Sequence, residues 1–139
     1  MKSDRVKVFA VPLCVERRNN WMIKIRREQI AGMNMHYKYR TLEYFFKTQQ
    51  ALGIKNIEFW CARPHFLLDD YGFEDAAELK KNAADYGLTI GAFSPECTIY
   101  NYALCCHDET ARKHSIGYFE NGIRAAAEAG AKVMVLNCC

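Results

Sequence analysis

The chain has 139 residues, half of them hydrophobic, with 19 basic and 16 acidic side chains and a formal net charge of +3. This length fits one domain and is too short for two ordinary ones. No apolar run reaches the ~18 residues of a membrane-spanning helix, and no signal-peptide pattern opens the chain, so we expect a cytoplasmic protein without membrane contact.

Strand-like and helix-like segments alternate along the chain. The predicted strands are residues 5–11, 54–60, 88–93 and 132–137, and the predicted helices are residues 41–52, 73–86 and 109–129. A glycine follows each helix, at Gly53, Gly87 and Gly130, where a left-handed backbone ends the helix and returns the chain to a parallel strand. This repeat predicts an α/β fold with four parallel strands, either as a small doubly wound sheet or as the first half of an eight-stranded barrel.

Apolar spacing predicts which faces of these elements are buried. The fourth strand is apolar on both faces, so we expect helices or a barrel wall to cover it. The helix-face predictions are Phe73, Ala76, Ala77, Leu79, Ala83 and Ala84 in the second helix and Ile116, Phe119, Ile123, Ala126 and Ala127 in the third.

Residues 15–40 form a basic segment with a net charge of +5, interleaved with Trp21, Tyr37 and Tyr39. Such a segment either binds phosphate, nucleic acid or an acidic partner, or is a solvated stretch whose long side chains cover apolar surface. Its pattern does not decide a secondary structure. We interpret it as an insertion after the first strand.

Ligands of parallel α/β folds bind at the carboxyl ends of the strands. In this chain those ends carry residues 60–65, 94–97 and 137–139. Functional residues are therefore expected there first.

The motifs at these ends have a recognisable order and placement. They are Ile57-Glu58-Phe59-Trp60, Arg63-Pro64-His65, Ser94-Pro95-Glu96, Tyr100-Asn101, Asp108-Glu109-Thr110 and Ala129-Gly130-Ala131-Lys132. Together they resemble the sugar isomerase and epimerase superfamily with the xylose isomerase-like barrel, and within it the fructoselysine 3-epimerase-like proteins. The likeness spans residues 5–11 and 41–137 and corresponds to the first half of that barrel.

The resemblance implies a single domain over residues 1–139, equivalent to the N-terminal half of a (β/α)8 TIM barrel. It also implies metal-dependent isomerisation or epimerisation of a sugar or sugar phosphate, with a proton moved through an enediolate. A divalent metal, commonly manganese, belongs to this chemistry, but its ligands and both acid/base carboxylates come from later strands. We therefore expect no metal ligand here, leave the catalytic residues unassigned, and expect full activity only in a complete barrel.

The first-half residues would then recognise the substrate. The predicted substrate-binding residues are Trp60, Arg63, His65, Glu96, Tyr100, Asn101 and Asn137. Trp60 offers a flat wall for a sugar ring, Arg63 and His65 offer hydrogen-bond donors, and Glu96 or Asn101 would orient hydroxyls. The structural alternatives are a core role for Trp60, an ion pair from Arg63 to Asp69 or Asp70, and a purely structural loop histidine at His65.

Several alternatives remain open. The chain is expected to be a truncated product, a fragment, or a half-barrel that pairs with another chain, and open strand edges favour a homodimer. It is either the recognition half of an enzyme acting on a sugar or sugar conjugate, or a non-catalytic binding or assembly module. An apurinic-site endonuclease-like DNA-binding role is the least favoured, and nucleic acid is not an expected partner.

Four cysteines offer a rival site. Cys14, Cys61, Cys97 and Cys138 each follow a predicted strand, and four thiolates at one edge would suit zinc or an iron–sulfur cluster. Parallel strands lie ~4.8 Å apart, which spreads four sulfurs too widely for one tetrahedral site. Buried small hydrophobic roles are the favoured interpretation.

Overall fold

The computed structural model describes residues 25–136. In this range four parallel strands form one sheet in the order β1-β2-β3-β4, and three helices connect them. The strands are β1 (Ala31–Met33), β2 (Asn56–Cys61), β3 (Thr89–Pro95) and β4 (Val133–Met134), and the helices are α1 (Leu42–Ala51), α2 (Ala76–Asp85) and α3 (Glu109–Glu128). The predicted α/β fold, equivalent to half of a TIM barrel, is confirmed. No helix in this range is long and apolar enough to cross a bilayer.

Each helix begins at a capping side chain and ends before a left-handed glycine. The caps are Thr41, Asp75 and Asp108, which accept hydrogen bonds from backbone N–H groups three residues further on. The glycines Gly53, Gly87 and Gly130 have φ values of 69°, 70° and 78°. Each helix is therefore limited at both ends by its own sequence.

The strand that pairs with β2 at one edge of the described sheet is not the predicted first strand. The predicted strand at residues 5–11 lies outside the described residues, and β1 occupies this position from within the basic segment that we interpreted as an insertion. Gly32 allows this placement, because a Cβ on it would lie 1.9 Å from Gln49 Oε1 of α1. The close approach of β1 to α1 therefore needs a residue without a side chain.

The three helices pack on one face of the sheet. Their buried side chains join a single core with alternate residues of β2 and with Phe93 of β3. Phe59, Phe66 and Phe93 form its aromatic centre, with ring centroids 5.8 to 6.2 Å apart. Placement of all helices on one side is the result expected from successive right-handed crossovers. The alternate residues of β2, Glu58 and Trp60, consequently lie on the opposite face.

Four side chains that were predicted to be buried are exposed, two in α3 and two in α2. In α3, Ile123 is 58% exposed and Ala127 is exposed, because small residues such as Gly122 face the sheet instead. A Cβ on Gly122 would lie 3.1 Å from Pro95 Cγ, so this helix approaches β3 too closely for isoleucine. Ala77 and Ala84 of α2 are likewise exposed.

The fourth strand is shorter and less covered than predicted. Only Val133–Met134 pairs as a strand, and in the described range its single neighbour is β3. Val133 is 57% exposed and Leu136 is 49% exposed. Burial on both faces, expected for residues 132–137, is therefore contradicted for the part of this segment that the structure describes.

Candidate functional site

Two polar pairs link β2 to β3 on the face opposite the helices. Ser94 Oγ donates to Glu58 Oε1 at 2.6 Å, and Trp60 Nε1 donates to Glu96 Oε2 at 2.7 Å. In the strand register Trp60 lies opposite Ser94, so the two pairs are neighbours on the same surface. In a complete barrel of this type, the face opposite the helices is the inner one, and ligands of such barrels bind near the strand ends.

Glu96 is buried and receives three N–H donors. Its Oε1 accepts from the backbone N–H groups of Thr98 and Ile99 at 2.6 and 2.9 Å, while Oε2 accepts from Trp60. Burial opposes its ionisation, but these hydrogen bonds together outweigh burial and lower the pKa of Glu96 below its ordinary value. Its carbonyl oxygen also accepts from the Tyr118 hydroxyl of α3. Glu96 is thus an ionised carboxylate that fixes the loop after β3.

Asn34, directly after β1, holds Trp60 from the other side. Trp60 N donates to Asn34 Oδ1 at 2.7 Å, and Asn34 Nδ2 donates to the Trp60 carbonyl at 2.9 Å. Asn34 is fully buried. Its side chain therefore continues the parallel ladder between β1 and β2 where the backbone of β1 has turned away.

His65 closes the network toward α1. Nε2 lies 2.9 Å from the Arg40 carbonyl, which only accepts, so Nε2 carries the hydrogen. Nδ1 lies 3.0 Å from Asn34 Nδ2, an amide nitrogen that donates, so Nδ1 is the acceptor. This assignment follows from the partners and defines one neutral tautomer. Both ring nitrogens are engaged, which favours a positioning role for His65.

Arg63 points away from this network. Its Nη1 lies 3.0 Å from Glu74 Oε1, and its backbone N–H donates to the Tyr100 hydroxyl at 3.2 Å. The ion pair that was predicted as a structural alternative, from Arg63 to Asp69 or Asp70, is therefore wrong, because Arg63 pairs with Glu74. Arg63 is an exposed side chain tied to the start of α2.

Those two aspartates organise the loop after β2 instead. Asp69 Oδ1 accepts from the backbone N–H groups of Tyr71 and Gly72, which forms a tight turn. Asp70 accepts from the Tyr102 hydroxyl at 2.9 Å and pairs with His114 Nδ1 of α3.

The contacts of Asp70 shift two pKa values. Burial opposes ionisation of Asp70, but the hydrogen bonds from His114 and Tyr102 lower its pKa overall. Burial, followed by the hydrogen bond to Asp70, raises the pKa of Tyr102 to about 12. This cluster joins both loops to α3, and the sequence analysis did not identify it.

The remaining predicted site residues lie beside this cluster or outside the described range. Tyr100 and Asn101 line an open cavity of about 510 Å³ together with Asp69 and Tyr102. Asn101 is exposed. Asn137 lies outside the described residues, so its predicted role stays a prediction.

Within residues 25–136, no group of three or more His, Cys, Asp or Glu side chains is placed to hold a metal ion. Cys14 and Cys138 of the rival cysteine site lie outside this range. Burial, with a smaller contribution from Glu74, raises the pKa of Cys61 far above its ordinary value. That thiol is therefore a buried apolar group at neutral pH, consistent with the packing role.

The structure thus brings Trp60, Glu96 and His65 into one connected network and leaves Arg63 outside it. Asn34, Glu58 and Ser94 were not among the predicted substrate-binding residues, although Ser94 lies in a strand-end range where functional residues were expected. Glu58 had a signal, since it interrupts the apolar run of β2. Asn34 had none, because the strand before it was not recognised.

A parallel sheet with helices on one face and polar side chains at its strand ends defines this protein as the α/β-barrel type. The chain belongs to the xylose isomerase-like TIM barrel family, whose model matches residues 46–138. It is 30% identical over 90 residues to the fructoselysine 3-epimerase of Shigella flexneri and 29% identical over 90 residues to that of Escherichia coli O157:H7. Each match covers 65% of this chain and 33% of the relative, so the matched part is about a third of the relatives' length. No solved structure matches the chain significantly.

Proposed function

We propose that this chain provides the sugar-recognition part of an isomerase or epimerase that acts on a sugar, sugar phosphate or sugar conjugate. The observation that carries the proposal is the Trp60–Glu96 hydrogen bond of 2.7 Å at adjacent strand ends in a member of this family. It fixes the Trp60 indole, which is 5% exposed, on the face of the sheet opposite the helices, where the small accessible part of an aromatic ring suits the apolar face of a sugar. The likeness to fructoselysine 3-epimerases makes fructoselysine the first ligand to test.

The contacts of the described residues support a proposed role for several of the predicted recognition residues. Glu96 and His65 hold Trp60 in place, the latter through Asn34. Tyr100 and Asn101 border an open cavity, where the exposed Asn101 amide is placed to meet sugar hydroxyls, whereas the Tyr100 hydroxyl already accepts from the Arg63 backbone N–H. Arg63 is exposed, but it is bound to Glu74 and points away from the network, so we assign it no contact with the ligand.

The family implies a divalent metal such as manganese. Such an ion needs several oxygen or nitrogen ligands that converge on one point. The described residues do not fit this requirement, because no group of three candidate ligands occurs among residues 25–136. We therefore assign no catalytic residue and no step to the described part of the chain, and we propose that ligands and acid/base carboxylates lie elsewhere in a complete barrel. A cytoplasmic location likewise stays a prediction.

A solvent-exchange assay tests this function. The full chain is incubated in deuterated water with manganese and a panel of ketoses that includes fructoselysine, and deuterium incorporation next to the carbonyl is measured. The same panel is titrated onto the labelled protein, with the Trp60 indole resonance as the binding signal. Binding without exchange supports a recognition module. Absence of both contradicts the proposal.

A second candidate function is assembly with a second copy of the chain. Strand β4 lies at an edge of the described sheet, and Val133, Val135 and Leu136 beside it are partly exposed. Apolar edge strands favour association. Sedimentation at micromolar concentration tests this proposal, and a single monomeric species would contradict it.

A further inference from the structure

A basic groove of about 720 Å³ lies between the start of α1 and the loop after β2. Of the described residues that line it, Lys38 and Arg40 are cations and none is a carboxylate. Tyr39, which is 88% exposed, and Tyr44, which is 49% exposed, provide aromatic walls. The groove therefore combines positive charge with flat apolar surface.

The two cations have no acidic partner in the part of the chain that the structure describes. Lys38 Nζ lies 5.3 Å from the Tyr39 ring centroid, and Arg40 Cζ lies 5.4 Å from that of Tyr44. These contacts orient the cations without neutralising them. Glu43, the nearest carboxylate in sequence, is bound to Lys47 at 2.5 Å. Both positive charges remain available to a ligand.

Charge is segregated on the two sides of His65. A second cavity, of about 330 Å³, shares Leu42 and His65 with the basic groove but contains Glu74, Asp75 and Glu78. Glu74 is bound to Arg63, and Asp75 caps α2. An anion is therefore directed to the side of Lys38 and Arg40, where the positive end of the α1 dipole adds to the attraction.

The groove also adjoins the strand-end network. His65 lines the groove, accepts from Asn34 and donates to the backbone carbonyl of Arg40. His65 thus connects the lining of the groove to Asn34 and, through Asn34, to the backbone of Trp60 at the strand ends.

We propose that the basic groove binds an oxyanion, a phosphate or carboxylate, carried by the ligand of the strand-end site. This assignment rests on the proposed function for the nature of the ligand. The claim that the groove binds an oxyanion rests on Lys38, on Arg40 and on the absence of carboxylates among the described lining residues.

The test compares two double variants of the full chain with equal loss of charge. K38Q/R40Q removes the groove cations but keeps the Arg40 carbonyl that holds His65. K81Q/K132Q removes two exposed lysines that form no ion pair in the described range and do not line the groove. Inorganic phosphate is titrated onto each protein by calorimetry and by amide chemical shifts. We expect shifts at residues 38–44 and 65, and an affinity weakened at least about tenfold in K38Q/R40Q only.

Three further ligands identify the source of the oxyanion. Tighter binding of fructose 6-phosphate than of fructose supports a phosphate as the oxyanion. Tighter binding of fructoselysine than of fructose supports a carboxylate. In either case the increase in affinity over fructose should be lost in K38Q/R40Q. The proposal that the groove binds an oxyanion is overturned if phosphate binds both double variants equally, or if it does not bind the wild type at low salt. If inorganic phosphate binds but neither fructose 6-phosphate nor fructoselysine binds more tightly than fructose, the proposal that the oxyanion belongs to the sugar ligand is overturned.

The same measurements distinguish a failure of the proposed function from a failure of the groove proposal. Loss of all sugar binding and exchange contradicts the sugar-recognition role, whereas the inorganic phosphate titration still reports on the groove itself. Circular dichroism of both double variants confirms that each remains folded.

Discussion

The side chain of Asn34 satisfies both backbone polar groups of Trp60, through contacts of 2.7 and 2.9 Å that reproduce the pairing of a neighbouring strand. An asparagine side chain thereby extends β1 by one pairing position. The backbone of Trp60 near the end of β2 is fixed by these contacts, and in the proposed recognition role such preorganisation would reduce the entropy lost on binding.

The first prediction concerns Asn34→Ala. The substitution leaves the buried N–H and carbonyl of Trp60 without these partners, and each such loss costs ~1 to 3 kcal/mol. We expect the free energy of unfolding to fall by roughly 3 kcal/mol, measured by urea denaturation. Asn101→Ala is the control, because Asn101 is exposed, and it should change stability by no more than about 0.5 kcal/mol. Equal stability of the two variants would show that the Asn34 contacts are not formed.

The second prediction concerns pH. The pKa of Glu96 in the folded protein is lowered from 4.5, so its ionised form is stabilised by folding. This contribution is fully present above pH 4.5 and is lost as the pH falls through the lowered folded value. We expect wild-type stability to decline over this acidic window and Glu96→Gln to flatten that decline.

Glu128→Gln is the matched control for this pH effect, since Glu128 is exposed in the last turn of α3. Its acid dependence should follow the wild type. A Glu96→Gln profile parallel to that of the wild type between neutral and acidic pH would exclude Glu96 as a source of the dependence.

The third prediction concerns Asp70→Asn. Burial is the main reason that the pKa of Tyr102 is about 12, and the hydrogen bond and charge of Asp70 add to it. Removing the charge should lower the Tyr102 pKa part of the way toward 10.0, because burial persists. The measurement is an NMR titration of labelled tyrosine rings. Asp85→Asn on the exposed end of α2 should leave the Tyr102 titration unchanged, and an unchanged value in Asp70→Asn would refute the contact.

The fourth prediction tests the position of β1. Gly32→Ala places a Cβ 1.9 Å from Gln49 Oε1, so Gln49 must move and lose its place between Tyr37 and the strand. We expect a loss of about 1 to 3 kcal/mol in urea denaturation. Gly72→Ala is the matched control, because its Cβ would meet nothing within 4 Å, and it should be near neutral. Comparable stability of the two variants would mean that β1 does not pack against Gln49.

Local signals in the sequence were sufficient for most of the helices. The predicted helices at residues 41–52 and 109–129 agree with the observed α1 and α3 to within one residue at each end, because caps and glycines are local features. The second helix begins at Ala76 and not at residue 73, since Asp75 caps it and Glu78 follows three residues later. That capping pattern was readable in the sequence.

The site was only partly predictable, because its contacts are long-range. Trp60 and Glu96 are 36 residues apart, and their pairing depends on a register shift between Ile57 and Glu58 that no local pattern reveals. Strand β1 has three residues, too few for alternation to appear. Asn34 therefore was not predicted, although its side chain makes three hydrogen bonds in the network.

The pairing of Glu58 with Ser94 on the surface opposite the helices constrains any complete barrel built on this half. A carboxylate and a hydroxyl at that depth lose water when other strands close over them, and this desolvation is costly without new partners. Segments that complete the enclosure must therefore supply donors or ordered water and not only aliphatic side chains. The lumen at this level is expected to be hydrated, in contrast to the dry aromatic layer on the other side of the same four strands.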